Sequence, residues 1–190
     1  LEKEEYFLSA EVINEKVYSW LETRPEGPAF VWIHYSDPHS PYVPPKGFNT
    51  FREDPELNKV IATRMGKQPN KQVIDLYNAY DGEVRYLDHE LGELFKAIRK
   101  HGLYDNSVIT IVGDHGEGLE QHGWIAHGPI YDEQILVPLM IKFPKGSPLN
   151  GTRYESVTSI IDIPNIMDGG ADLPFHDDDR KLWQGFDVLN

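Results

Sequence analysis

The chain has 190 residues and a formal net charge of −13, from 31 Asp and Glu against 18 Lys and Arg. That length suits one domain with a real core, and 39% hydrophobic with 12% aromatic residues excludes a disordered chain. The acidic balance argues against a free-standing nucleic-acid binder, and the absence of Cys excludes disulfides, thiolate metal sites and a Cys nucleophile within this segment.

An anionic substrate would need a local positive site, a metal or clustered His, to overcome that charge. No apolar run approaches the roughly 18 residues needed to cross a bilayer. The first residues, Leu1 to Phe7, lack an initiator Met, a basic n-region and an apolar h-region. They read as an internal cut rather than a signal peptide, which leaves localisation open.

In chain order, residues 5–23 predict an amphipathic helix, with Phe7, Val12, Ile13, Val17, Trp20 and Leu21 at helical spacing. Pro25, Gly27 and Pro28 break it. Residues 29–35 are dense in β-branched and aromatic side chains and predict a buried strand. Residues 36–47 form a Pro-rich loop, stiff without being regular. Residues 72–101 carry the longest helical pattern, with a stripe of Val73, Leu76, Tyr80, Val84, Leu87, Leu91, Leu94, Phe95 and Ile98, and Gly102 as its stop. Asp105 and Asn106 make a turn. Residues 107–113 predict a second buried strand and 137–143 a third. Residues 162–170 predict a short helix, and from 172 onward the chain reads as an acidic, irregular tail in which Asp177 to Asp179 are a solvated surface. Buried runs alternating with helices predict an α/β fold whose mainly parallel sheet is flanked by helices. The whole, 1–190, reads as a single domain.

Three constellations could carry chemistry. Gly113-Asp114-His115-Gly116 follows a predicted strand directly, where ligands of open α/β sheets bind. Flanking glycines allow a sharp turn, so that a carboxylate and an imidazole, both competent ligands, could converge on one ion. The same residues could instead be a turn whose Asp caps the next helix beside a surface His. His122 and His127 follow His115 at spacings of seven and five. These fit neither helical metal pairing nor a zinc finger, but suit loop residues around one anionic group, or plain turn hydrogen bonding. Lastly, Asp37-Pro38-His39-Ser40-Pro41-Tyr42 follows the first predicted strand. It is either a rigid surface loop or a mount that holds His39 for binding. His34, within the strand, reads as a core His.

These blocks resemble the sulfatase family. The strand with Asp37-Pro38-His39-Ser40-Pro41-Tyr42 looks like one family segment. Tyr80 to Asp88 looks like the helix before the metal strand. Asp105 to Leu119 is close to the metal motif, and His127 to Leu139 to the segment that follows it. All occur in family order over about residues 10–170.

The resemblance implies an alkaline-phosphatase-like fold, incomplete here, and hydrolysis of a sulfate ester of a small molecule or glycan by the full-length protein. It implies Asp114 and His115 as ligands of a divalent cation, Ca²⁺ foremost, with Mg²⁺, Mn²⁺ and Zn²⁺ as alternatives. His39 would contact the ester and act as general acid. His127 stands where many members place a Lys on a sulfate oxygen, a departure that trades a fixed charge for a conditional one. His122 would stand behind these groups as a further substrate-binding candidate.

The family's nucleophile is a formylglycine made in a Cys/Ser-x-Pro-x-Arg motif, and no such motif occurs here. It is expected upstream, together with further metal ligands and the N-terminal half of the domain, so this chain alone is expected to be inactive. Two other readings stand beside this one. The first is a phosphoester or phosphonate hydrolase, or a phosphoethanolamine or phosphoglycerol transferase, of the same superfamily. The second is a non-catalytic binding or structural module. The resemblance places the protein in a periplasmic, secreted or lysosomal-type compartment.

Overall fold

The computed structural model describes residues 8–49 and 55–171. The predicted start of the first helix at 5–7, the tail from 172 and Asp177 to Asp179 lie outside the described residues. The helices are α1 (Ala10–Thr23), α2 (Pro55–Met65), α3 (Lys71–Lys100), α4 (Asp132–Ile135) and α5 (Ile163–Ala171); the strands are β1 (Ile109–Val112) and β2 (Leu139–Lys142). Among the described residues no helix is long and apolar enough to cross a membrane. The chain divides into two compact units, 1–101 with 117–129, and 102–116 with 130–190.

The first unit is built on α3. Asn70 caps it, its side chain accepting from the Val73 amide at 3.0 Å, one of the orphan donors of a helix start. Arg99 and Lys100 favour the negative end of the dipole, and Gly102 (φ +71°) ends the helix as its position predicts. Thirty residues at 1.5 Å each make a rod of about 45 Å. Ile61, Val73, Tyr77 and Leu119 form a buried cluster, with Tyr42, Leu57, Met65, Leu76 and Tyr80 packed against it. Helix α2, which periodicity did not reveal, supplies Ile61.

The buried face of α3 differs from the predicted stripe. Val84 is exposed, while Asn78, Glu83 and Glu90 are buried. Glu90 is buried by polar pairing with α1, and Glu83 accepts from the Val43 amide at 2.8 Å. Asn14 donates to the Glu90 carbonyl (2.9 Å) and carboxylate (3.0 Å) and accepts from the Tyr35 hydroxyl at 2.6 Å. A buried polar side that is hydrogen-bonded costs little, and periodicity of apolar residues cannot see it.

The predicted strand at 29–35 is not a strand. The segment is extended without ladder pairing, and Phe30 (76% exposed) and Trp32 (75%) face solvent, as does His34. Strand-prone side chains need a paired neighbour to become a sheet, and among the described residues none lies alongside. Val31 and Ile33 instead line a shallow groove with Ile13, Val17 and Trp20 of α1.

Burial raises the Asp81 carboxyl above its ordinary value, and Arg64 only partly offsets this. An acid whose folded pKa is raised penalises the fold once pH exceeds the unfolded value of about 3.9. Asp81→Asn is therefore expected to raise the melting temperature at pH 7, with the gain vanishing below about pH 4. Thermal unfolding across pH checks this, and a gain independent of pH would contradict it.

In the second unit β1 and β2 pair antiparallel, Ile109 opposite Lys142 and Val112 opposite Leu139. The Gly113 amide extends the ladder to the Pro138 carbonyl at 3.2 Å. The sequence predicts buried, mainly parallel strands; this pair is antiparallel, and its residues are half-buried or, for Met140, exposed. A parallel pair needs a long crossover, usually a helix. The link from β1 to β2 contains only a 3₁₀ turn and the four-residue α4. Lys142 ties the start of the unit together: its ammonium donates to the carbonyls of Tyr104 and Ser107 and lies 4.5 Å from the Tyr104 ring centroid. Ser159 and Asp162 form a capping box ahead of α5, which buries Ile166.

Candidate functional site

In the second unit, β1 ends at Val112 and the chain turns through Gly113 into Asp114 and His115. The turn is held by the Gly116 amide, which donates to the Gln134 carbonyl at 2.8 Å. A Cβ on Gly116 would lie 2.1 Å from the Glu133 carbonyl oxygen, so the approach of α4 admits only glycine. His115 Nδ1 is 2.9 Å from the Gly116 carbonyl oxygen. A carbonyl only accepts, so Nδ1 carries the hydrogen and Nε2 the lone pair. That lone-pair nitrogen stands 3.8 Å from Asp114 Oδ2, and both side chains are exposed. The other carboxylate oxygen accepts from the His115 amide at 2.9 Å.

The pair fits a divalent cation. Bonds of about 2.0–2.6 Å can span atoms 3.8 Å apart, and a backbone carbonyl that fixes the tautomer of a ligating His is a common support. The imidazole extends the choice from hard cations to Mn²⁺ or Zn²⁺.

In the first unit, the loop carrying His39 is fastened at both ends. The buried Asp37 carboxylate accepts from the Ala10 amide at 2.8 Å, and the Val43 amide donates to Glu83 Oε1 at 2.8 Å. Both Asp37-Pro38 and Ser40-Pro41 are cis. Close packing continues at Pro44, whose Cγ would be 2.7 Å from a Cβ on Gly82. His39 Nδ1 lies 2.6 Å from the Ser40 carbonyl, which again leaves Nε2 as the lone-pair nitrogen of the neutral ring.

Residues 117–129 fold back on themselves. The amides of Gly118, Leu119 and Glu120 donate to the carbonyls of Ala126, Ile125 and Trp124 at 3.2, 2.9 and 2.7 Å, and Leu119 anchors the segment in the core. His122 stands in the 3₁₀ turn Gln121–Gly123, exposed and left-handed (φ 53°). The rings of His39 and His127 lie 6.2 Å apart at 62°. Thus the first unit brings two of the predicted histidines together, and the second converges Asp114 with His115.

Glu117, Tyr42 and Tyr80 carry parts that sequence reasoning did not assign. Tyr42 donates its hydroxyl to Glu117 Oε2, Glu117 Oε1 lies 2.6 Å from His127 Nδ1, and the Tyr42 and Tyr80 rings meet edge to face at 5.5 Å. Burial, then the Glu117 hydrogen bond and charge, push the Tyr42 phenol well above its usual range. Burial also raises Tyr80, followed by the charges of Glu117 and Asp81. The available signal was an acid between two glycines directly after the Asp-His pair.

The family model for Sulfatase matches residues 2–168. The chain belongs to the sulfatase family. An arylsulfatase of Clostridium perfringens is 28% identical over 173 residues, covering 82% of this chain and 36% of that protein. Lipoteichoic acid synthase 1 of Bacillus subtilis is 43% identical over 122 residues, covering 55% of this chain and 19% of the synthase. The phosphonate monoester hydrolase of Agrobacterium radiobacter shares the fold, with a TM-score of 0.68 at 21% identity over 84% of this chain and 38% of that one. The fold class is accordingly α/β and alkaline-phosphatase-like, helix-rich with a small sheet. This sulfatase-family chain spans about a third of the arylsulfatase's length.

Proposed function

We propose that the full-length protein hydrolyses a sulfate ester of a small molecule or glycan in a divalent-metal-dependent reaction. The observation that carries this reading is the Asp114–His115 pair, with Oδ2 and the lone-pair Nε2 3.8 Å apart, in a chain of the sulfatase family. Asp114 and His115 hold the cation, Ca²⁺ foremost. Such an ion, when bound, supplies Lewis-acid stabilisation of charge on the transferring group. His39, with Nδ1 committed to the Ser40 carbonyl, presents Nε2 to the ester. Protonated there, it gives its proton to the departing alcohol oxygen. His127 hydrogen-bonds a sulfate oxygen, and His122 supports that contact. The nucleophile in this reading is a formylglycine outside the 190 residues of this chain.

The test is turnover of an aryl sulfate by the full-length protein, beside a phosphonate monoester and a phosphodiester. Sulfate-ester hydrolysis is expected to stop with a chelator. Asp114→Ala is expected to reduce it by more than ~100-fold, since even groups that only support a metal ligand are worth 10–100-fold. Calorimetric titration of the cation should show saturable binding that Asp114→Ala abolishes. Faster turnover of the phosphorus esters would favour the second reading, which the likeness to the synthase and the phosphonate hydrolase motivates. No turnover and no saturable cation binding would leave a binding or structural module.

A further inference from the structure

Residues 117–129 close a loop rather than a strand pair: the successive amides of Gly118, Leu119 and Glu120 donate to Ala126, Ile125 and Trp124, and Leu119 and Glu120 have positive φ. Glu117 and His127 are the next residues outward at the two ends of that loop, and they meet at 2.6 Å between Oε1 and Nδ1. The Glu117 side chain is only 9% exposed, and its second oxygen accepts from the Tyr42 hydroxyl. Tyr42 in turn sits on the loop that carries His39.

We propose that Glu117 is a positioning residue: its carboxylate, clamped by Tyr42, holds the proton on Nδ1 of His127 and turns the Nε2 edge to the substrate anion, so that the ring, on taking a second proton, donates Nε2–H to a sulfate oxygen. The inference rests on the reading that His127 contacts the sulfate group. It adds how an imidazole can take the place of a lysine there. A lysine brings its donors on a flexible stem, whereas an imidazole must have the right nitrogen presented. An ionised carboxylate has no proton to give and can only accept, so it selects one tautomer and one ring orientation. The same carboxylate thus ties the loop that carries His39, through Tyr42, to the ring of His127. The hydrogen bonds involved are charge-assisted, the stronger class.

The test reads the tautomer directly. Full-length protein labelled with ¹⁵N-histidine is examined by long-range ¹H–¹⁵N correlation at about pH 9, more than two units above the ordinary imidazole pKa of about 6.5; His127→Gln assigns the signal. A proton on Nδ1 of His127 is expected, with Nε2 as the lone-pair nitrogen. In Glu117→Ala the Nδ1–H signature should be lost in favour of Nε2–H, the form that an unrestrained histidine side chain prefers. A wild-type ring protonated on Nε2 alone overturns the proposal, and so does an Nδ1–H signature that survives in Glu117→Ala. The wild-type spectrum stands even where the variant fails to fold. A failed tautomer test leaves sulfate-ester turnover unaffected, whereas absent turnover with an Nδ1-protonated His127 counts against the functional reading alone.

Discussion

Gly116→Ala is expected to be the most damaging single methyl group in the second unit. The added Cβ would lie 2.1 Å from the Glu133 carbonyl oxygen, 3.1 Å from its carbon and 3.2 Å from Gln134 Cα. All three are backbone atoms, so no side chain can swing away, and α4 has to move. Moving it breaks the 2.8 Å hydrogen bond from the Gly116 amide to Gln134. It also displaces the carbonyl that holds His115 Nδ1. Overpacking costs about 1–3 kcal/mol where side chains can adjust, so about 3 kcal/mol or more is expected here. Two measurements check this: the denaturant midpoint should fall, and cation affinity should fall with it. An unchanged midpoint would mean that α4 does not make this approach.

Asn14→Ala is expected to have a comparable effect in the first unit, by a different route. Asn14 is fully buried, and its side chain satisfies the Glu90 carboxylate and the Tyr35 hydroxyl together. Truncation leaves a buried carboxylate and a phenol short of a partner, at about 1–3 kcal/mol for each orphaned group and more for a charged one. A loss of about 3 kcal/mol in urea unfolding is the expected result. Replacing Asn14 and Glu90 together by leucine should restore most of it, because removing both members of a buried polar pair can be nearly neutral. A double variant as unstable as Asn14→Ala would show that packing volume, not pairing, is at stake.

These residues show what a sequence carries and what it withholds. The length of α3 was legible because thirty residues of helical periodicity end at a glycine with φ +71°. Its buried face was not, because Asn14 and Glu90 are buried by pairing, and apolar periodicity counts them as surface. The segment 29–35 has strand composition, but composition cannot supply the neighbour that makes a strand. Helix α2 was missed because its one fully buried residue, Ile61, leaves too narrow an apolar stripe to register as a period. Asp114 and His115 were legible from their place after a strand and between glycines. Glu117 follows them in the same stretch, but its place in the sequence assigns it no role. Its partners, Tyr42 and His127, lie 75 and 10 residues away, and pairing across a fold-back leaves no periodic trace.

The first unit is discontinuous: 1–101 is completed by 117–129. Leu119 belongs to the same buried cluster as Ile61, Val73 and Tyr77. On a ribosome this matters for timing. When α3 has emerged in full, the cluster still lacks Leu119, and the chain must extend through β1 before that side chain exists. Contacts between such distant stretches form slowly, and half-finished cores expose apolar surface meanwhile. The nascent chain thus passes through a stage in which its longest helix is made and its first core is still open, and that stage ends only when the segment bearing His127 is delivered.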